Sequence, residues 1–228
     1  MVKKHLKALA APVTWPVKRK GVKFILRPQP GKKFEFSMPV ALVFKTLLKY
    51  CKTMKEVKSI LQDKEILVDG TRTKEPKFLL GVMDVLSLPV SGEHYRMLIS
   101  RSRKLHLHQI TKEESSVKIS KILGKTTLKG RLTQLNLNDS RNIILKEDNY
   151  KVQDSLLISL PDQKIKAHYP MEHGSYAYIV SGSHVGEHGG IVAVTKDLVK
   201  VKLKDSEFET PKESVIVVGK DKPELTLE

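Results

Sequence analysis

A single cysteine, Cys51, is all the thiol chemistry this sequence offers. One thiol excludes an intrachain disulfide and a multi-cysteine zinc site, and points to a reducing, intracellular compartment. Cys51 follows Tyr50 in a helical pattern and reads as a packing residue rather than a reactive one. Aromatic residues make up 6% of the chain, so stacking alone cannot be the main source of affinity for a nucleic acid. Long apolar runs are missing too. Spanning a bilayer takes about 20 apolar residues, and the best candidate, residues 78–90, is interrupted by Asp84. Lys3, Lys4 and Lys7 ahead of Ala8-Leu9-Ala10-Ala11 imitate a signal peptide, but that apolar tract is too short, and secretion is not expected. Acidic side chains are absent from the first 34 positions, which carry ten Lys or Arg.

What is present is positive charge and a core. Across 228 residues, 41 Lys and Arg stand against 25 Asp and Glu, a formal net charge of +16. Such a surplus attracts polyanions, nucleic acid before an anionic membrane surface. Apolar residues at 40% suffice for buried cores and argue against wholesale disorder. The acid-free opening is broken by Pro12, Pro16, Pro28, Pro30 and Gly31, so no long helix or central strand runs through it. A basic segment of this kind usually becomes ordered on its partner. Its Leu6, Leu9, Val13, Trp15, Phe24, Ile25, Phe34 and Phe36 are nevertheless too apolar for a spacer and call for a surface that buries them.

Residues 40–50 read as a helix, with Val40, Phe44, Leu47 and Leu48 on one side and Lys45, Lys49 and Lys52 elsewhere. Thr53 with Glu56 three positions on is a capping box for a second helix running to about Gln62, burying Met54, Val57, Ile60 and Leu61 and showing Lys55 and Lys58. Residues 65–68 read as a strand, Asp69-Gly70 as a hairpin turn, 71–73 as the return strand and 82–88 as a further extended run. From residue 95 to about 167 strand-like runs at 96–100, 117–123, 143–145, 155–160 and 165–168 are separated by Gly124, Gly130, Asn138-Asp139, Asp148-Asn149 and Pro161-Asp162. That rhythm suggests a small antiparallel barrel or sandwich. A second β pattern follows at 177–180, 191–194, 198–203 and 214–218, enough for a five-strand barrel.

Several strings invite other chemistry. Gly124-Lys125-Thr126 looks like the end of a phosphate-binding loop, but the glycine required five positions earlier is Ile119, so the string reads as a strand-connecting turn. His184 and His188 lie four apart but among glycines in a β context, without the shared helical face of a zinc site. His106 and His108 point the same way on a strand, with no further ligand evident. No catalytic constellation is identifiable from spacing. Gly182, Gly186, Gly189 and Gly190, between Ala177-Tyr178-Ile179-Val180 and Ile191-Val192, have the spacing of the KOW motif of small SH3-like barrels, where glycine permits positive φ and close approach of a backbone.

Taken in order, His5-Leu6-Lys7-Ala8-Leu9-Ala10-Ala11-Pro12 with Trp15, Gly81-Val82-Met83-Asp84-Val85, Gly92-Glu93-His94-Tyr95-Arg96, His108-Gln109-Ile110-Thr111 with Glu113-Glu114, the KOW glycines and Val217-Val218-Gly219-Lys220 through Lys222-Pro223 resemble the ribosomal protein S4e family of the archaeal and eukaryotic small subunit. The similarity extends over essentially the whole chain. It implies an α+β, multidomain fold: a basic N-terminal extension at 1–37, an αL-type RNA-binding domain of two helices and a small β hairpin at 38–98, a central β domain at 99–172 and a C-terminal KOW SH3-like barrel at 173–228. It also implies a structural constituent of the small ribosomal subunit, cytoplasmic, without catalytic residues, cofactor or metal. The expected partners are small-subunit rRNA and neighbouring small-subunit proteins; a membrane, a small-molecule substrate and a second copy of the chain are not expected.

Within that frame Lys3, Lys4, His5, Lys7, Lys18, Arg19, Lys20, Lys23 and Arg27 of the extension are expected to thread along RNA. Lys45, Lys49, Lys52, Lys55 and Lys58 should grip phosphates across a groove, with Arg72 and Lys74 on the hairpin. Gly182 and Gly186 should bring their loop against RNA, and Trp15 should stack or wedge against RNA or a neighbouring protein, whereas Phe44 reads as core. Two rivals compete. Pseudouridine synthases also place an αL domain before a β-rich body, but their signature looks like Gly-Arg-Leu-Asp, and Gly130-Arg131-Leu132-Thr133 lacks the nucleophilic carboxylate. Transcription or elongation factors with a KOW barrel do not usually carry an acid-free basic arm.

Overall fold

The computed structural model describes residues 5–146, 149–203 and 206–227. The chain forms two compact units, residues 1–115 and 116–228. The turn expected at Asp148-Asn149 and the lysines Lys3 and Lys4 fall wholly or partly outside the described residues.

The first unit opens with β1 (Leu6–Lys7) paired antiparallel to β2 (Phe24–Ile25). β3 (Ser37–Pro39) leads into α1 (Val40–Leu42), which widens into a π-helical turn over Val43–Leu47. A plain α-helix over 40–50 is therefore not what forms. The Thr46 hydroxyl donates to the Leu42 carbonyl at 2.5 Å, occupying the acceptor an α pattern would use, and the Leu48 amide bonds back to Val43. The turn buries Val43 and Phe44 and ends at Lys49, whose φ of 58° leaves helical space.

α2 (Met54–Asp63) begins at the capping box read from sequence: the Glu56 amide bonds to Thr53 Oγ1, and the Glu56 carboxylate reaches back to the Thr53 amide. Val57 and Leu61 are its buried residues. Beyond it lie β4 (Leu67–Val68), β5 (Thr71–Arg72), β6 (Leu79–Gly81), β7 (Val85–Leu88), β8 (Glu93–Ile99) and β9 (Leu105–Gln109). β6 pairs with β3, and the other five form an antiparallel sheet in the order β5-β4-β7-β8-β9. Asp69 and Gly70, at φ 51° and 75°, make the tight turn between β4 and β5, and Asp69 Oδ1 accepts from the Val85 amide at 2.9 Å. The sheet runs past residue 98, because β9 is paired along its whole length to β8.

The proline-broken opening is folded onto this unit. Trp15 is fully buried, its Nε1–H donating to the Ser37 carbonyl at 2.7 Å and its ring 5.1 Å from that of Phe34. This corrects the expectation that Trp15 stacks on RNA or wedges against another protein: an apolar ring with one donor satisfied inside the chain has no face left to offer. Ala8 and Ala11 are buried as well, whereas Leu9, Val13, Val22 and Phe24 stay exposed. The Leu105 amide donates to the Thr14 carbonyl at 2.8 Å, the Gln29 amide to Lys77, and Lys32 pairs with the buried Asp84.

The described residues of the second unit form strands joined by loops and, at Lys212–Ser214, a short 3₁₀ turn: β10 (Val117–Leu128), β11 (Leu132–Leu137), β12 (Asn142–Leu145), β13 (Ser155–Ser159), β14 (Ile165–Tyr169), β15 (Tyr176–Ile179), β16 (His188–Val194), β17 (Leu198–Lys202), β18 (Glu207–Pro211) and β19 (Val215–Gly219). They make two antiparallel five-stranded sheets, β12-β11-β10-β13-β14 and β18-β17-β16-β15-β19. β10 pairs with β13 through residues 117–121 and with β11 through residues 122–128, with an irregularity between Ile122 and Gly124. Gly124-Lys125-Thr126 is thus strand interior and not the connecting turn expected; glycine sits where the long strand shifts register from one partner to the next. Ile122, Leu135, Leu137, Leu156 and Ile158 form the core of the first sheet.

Two lysines of β10 are buried. Lys118 pairs with Asp139 at 2.8 Å, and Lys121 Nζ donates to the carbonyls of Lys212 and Val215 at 2.5 and 2.6 Å, tying β10 to the start of β19. The Val217 amide donates to Ser155 Oγ, a second tie between the sheets. Buried charges need such partners.

Candidate nucleic-acid interface

Around α2 the basic residues emerge where the core does not need them. Lys52, Lys55 and Lys58 are exposed, and Lys55 and Lys58, three apart, share a side of the helix. Lys49 is exposed at the end of the π turn, and Lys45 is half-buried. The acid in this stretch is committed locally. The Glu56 carboxylate accepts from the Lys52 amide at 2.8 Å and from Thr53, and these bonds hold it below its ordinary pKa. Asp63 accepts from the Ser59 hydroxyl at 2.7 Å. Glu56 also acts electrostatically on Lys52, but between residues 49 and 58 it is the one acid against Lys49, Lys52, Lys55 and Lys58, so the row keeps a net positive charge. Arg72 on β5 donates to the Gln62 carbonyl at 3.2 Å, fastening the hairpin to the C-terminus of α2, while Lys74 is exposed.

The opening segment adds a second group. His5, Lys7, Lys18, Lys20, Lys23 and Arg27 are exposed. His5 lies 5.6 Å from the Phe24 ring, and the Lys23 ammonium sits 5.6 Å over that same ring. Arg19 is half-buried and donates to the Pro12 carbonyl at 2.8 Å, so part of its guanidinium serves the fold. Sequence reasoning passed over the exposed Arg101 and Arg103 in the β8–β9 turn. The signal was there: no Asp or Glu occurs between Tyr95 and Lys112.

In the second unit the glycines divide their work. Gly182 and Gly186, at φ 103° and 81°, shape the loop after β15, which exposes Gly182 and Ser183 and buries Val185. Gly189 lies inside β16, where a Cβ would sit 2.2 Å from the Lys202 carbonyl oxygen of β17. His184 stacks on Phe208 at 4.0 Å and bonds Glu187 at 3.0 Å, and His188 bonds the Tyr176 hydroxyl at 2.7 Å. Among the described residues no group of three or more His, Cys, Asp or Glu could hold a metal ion. Cys51 is buried, and desolvation raises its pKa, keeping it a thiol. No helix among the described residues is long and apolar enough to cross a membrane.

Comparison with known proteins settles the lineage. The model described as Ribosomal family S4e matches residues 91–165, and that of the RS4NT (NUC023) domain matches residues 2–31. The small ribosomal subunit protein eS4 of Methanocaldococcus jannaschii is 44% identical over 240 residues, covering 99% of this chain and 98% of that protein. The chain belongs to the S4e family. The eS4 of Methanopyrus kandleri is 36% identical, over 99% of this chain and 95% of its own length. The crystal structure of the 30S ribosomal protein S4e from Thermoplasma acidophilum superposes with a TM-score of 0.72 at 32% identity, covering 84% of this chain and 98% of that one. S4e is a family of ribosomal structural proteins and not of enzymes, and its members are found in the cytoplasmic ribosome.

The family strings acquire physical reasons. In the first, Trp15 is the buried anchor of the opening segment. In the second, the Gly81 amide donates to Asp84 at 2.6 Å, and a Cβ on Gly81 would crowd Lys32 at 3.1 Å. In the third, the buried Arg96 donates to the Glu114 carbonyl at 3.1 Å. In the last, a Cβ on Gly219 would lie 2.1 Å from the Lys222 carbonyl oxygen. Thr133, at the place of the pseudouridine synthase carboxylate, is a β11 residue paired with Thr127 and Leu145.

Proposed function

We propose that this S4e chain is a structural constituent of the small ribosomal subunit that binds and stabilises its rRNA and so supports translation. The observation that carries the reading is the exposed Lys49, Lys52, Lys55 and Lys58 row, with the local carboxylates of Glu56 and Asp63 held by neutral donors, next in sequence to an acid-free basic opening. In this reading residues 38–98 act as an αL-type RNA-binding domain behind the extension at 1–37. Residues 99–172 are a central β domain and 173–228 a KOW SH3-like barrel whose Gly182–Gly186 loop approaches RNA. Lys3, Lys4, His5, Lys7, Lys18, Arg19, Lys20, Lys23, Arg27, Lys45, Arg72 and Lys74 complete the phosphate-facing set. Neighbouring small-subunit proteins are the other partners, and the chain works as one copy per subunit without cofactor.

Phosphate neutralisation releases condensed counterions, so affinity falls with salt at a slope of about −0.7 per contact on partly single-stranded RNA. The test is sedimentation of a native lysate at high salt, following the protein by mass spectrometry. Co-migration with the small subunit at one copy each, resistant to the wash, is the expected result. A protein left at the top of the gradient, or washed off substoichiometrically, refutes it.

A further inference from the structure

The turn between β8 and β9 binds nothing in the scheme above, yet it is built to hold charge in place. Ile99 and Leu105 close the hairpin as a strand pair. Inside it the Ser100 amide donates to the Lys104 carbonyl and the Arg103 amide to the Ser100 carbonyl, both at 2.8 Å. Ser100 Oγ bonds Ser102 Oγ at 2.7 Å and accepts from the Lys104 amide at 3.3 Å. Arg103 sits at φ 60°, in the left-handed region, at the point where the chain reverses. These bonds fix the backbone that carries Arg101 and Arg103, and both residues are exposed.

The turn also meets the opening segment, some ninety positions away in sequence. Lys104 donates its ammonium to the Val13 carbonyl, and the next residue, Leu105, gives its amide to Thr14. Pro12 in turn accepts from Arg19. One short stretch of carbonyls, 12–14, is thus capped by two basic side chains and one amide, and it is locked at the buried Trp15. The two segments joined there, residues 1–34 and 95–112, contain no acidic residue.

We infer that the β8–β9 turn is an additional RNA-contacting element, in which Arg101 and Arg103 bind backbone phosphates of small-subunit rRNA beside the opening segment. This rests on the rRNA-binding reading above and assigns it a surface that reading did not include. Guanidinium groups on a fixed turn suit phosphate oxygens, which accept two donors in one plane. The contact positions RNA and reads no base sequence.

The test compares the full chain with Arg101→Gln/Arg103→Gln, Arg103→Lys and Lys164→Ala, titrating purified small-subunit rRNA across a salt series. Lys164 is an exposed lysine between β13 and β14, and its removal controls for net charge. The double variant is expected to lower the slope of log affinity against log salt by roughly 1.4 to 1.8, at 0.7 to 0.9 per phosphate contact. Arg103→Lys should keep the slope and lose affinity, and Lys164→Ala should match the parent. Each variant's unfolding midpoint is measured alongside and should equal the parent's. If the parent binds with a steep slope and the double variant binds identically, or loses no more than Lys164→Ala, the turn is not an RNA contact. If the parent shows no salt-dependent rRNA binding at all, the broader reading fails first.

Discussion

Replacing Trp15 discriminates between a residue that holds the fold and one that touches RNA. In Trp15→Phe the ring stays aromatic but loses Nε1–H, leaving the buried Ser37 carbonyl without the donor it has at 2.7 Å. An orphaned buried acceptor costs about 1–3 kcal/mol. The smaller ring also opens a void against Phe34, worth about 1 kcal/mol more by the transfer of one or two methylene equivalents. The sum is roughly 2–4 kcal/mol, and Trp15→Ala should reach the upper end of the usual 3–5 kcal/mol or so for such truncations. With a urea m-value of about 2 kcal/mol/M, Trp15→Phe lowers the unfolding midpoint by roughly 1–2 M. Far-ultraviolet circular dichroism follows both proteins. In the parent, the one tryptophan also reports directly: its emission should be that of a buried indole and should hold its wavelength when rRNA is added. A variant that keeps the parental midpoint while losing rRNA affinity, or a parent whose emission is quenched by RNA, refutes the reasoning.

Other perturbations probe separate parts of the molecule. Asp139→Ala removes the carboxylate paired with the buried Lys118 ammonium and should destabilise the second unit by about 3–5 kcal/mol, seen as an early unfolding transition. Gly189→Ala drives a methyl into the Lys202 carbonyl oxygen and should cost about 1–3 kcal/mol or more, with loss of the β16–β17 amide protection in hydrogen exchange. Thr53→Ala removes the N-cap of α2 and should cost about 1 kcal/mol, leaving the second unit's transition unmoved. Desolvation holds the His106 imidazole below its ordinary pKa. Well above about pH 6.5 both folded and unfolded states are neutral at this site, and as pH falls through that value the unfolded chain takes up the proton first. Stability of the first unit should therefore decline on acidification, and His106→Gln should flatten that part of the profile; an unchanged slope would show that the burial is not felt.

Local chemistry was legible where it is self-contained. Thr53 with Glu56 announced the start of α2, and Asp69-Gly70 announced the hairpin, because each motif satisfies its own backbone within a few residues. The separation of two β sheets in the C-terminal half followed from turn residues at regular spacing. Residues whose roles depend on distant partners were not legible. Trp15 in a proline-broken basic stretch looks like an exposed anchor until Ser37 and Phe34 are placed beside it. The burial of Lys118 and Lys121 had no signal at all, since nothing nearby in sequence reveals Asp139 or the Lys212 and Val215 carbonyls. β11 was missed because Thr133, Gln134 and Asn136 dilute the pattern of Leu135 and Leu137, and β18 because its acids mask an edge strand that pairs all along β17. Of the basic candidates, exposure was foreseen for the α2 row, whereas Arg19 and Arg72 turned out partly engaged with backbone carbonyls.

The fastening of the opening segment to the first unit changes what RNA association demands. Fixing a backbone costs about 1–2 kcal/mol per residue, so ordering even ten residues on contact would consume roughly 10–20 kcal/mol of the interaction. The carbonyls of residues 12–14 and the indole of Trp15 are engaged within the chain itself, so on the proposed rRNA-binding reading Lys18, Arg19 and Lys20 would approach as a preorganised array. Association then keeps most of its electrostatic gain. On that reading two equilibria are linked: a change that loosens the Trp15 anchor would weaken RNA binding without altering a single charge, by the same free energy needed to draw the segment back into place.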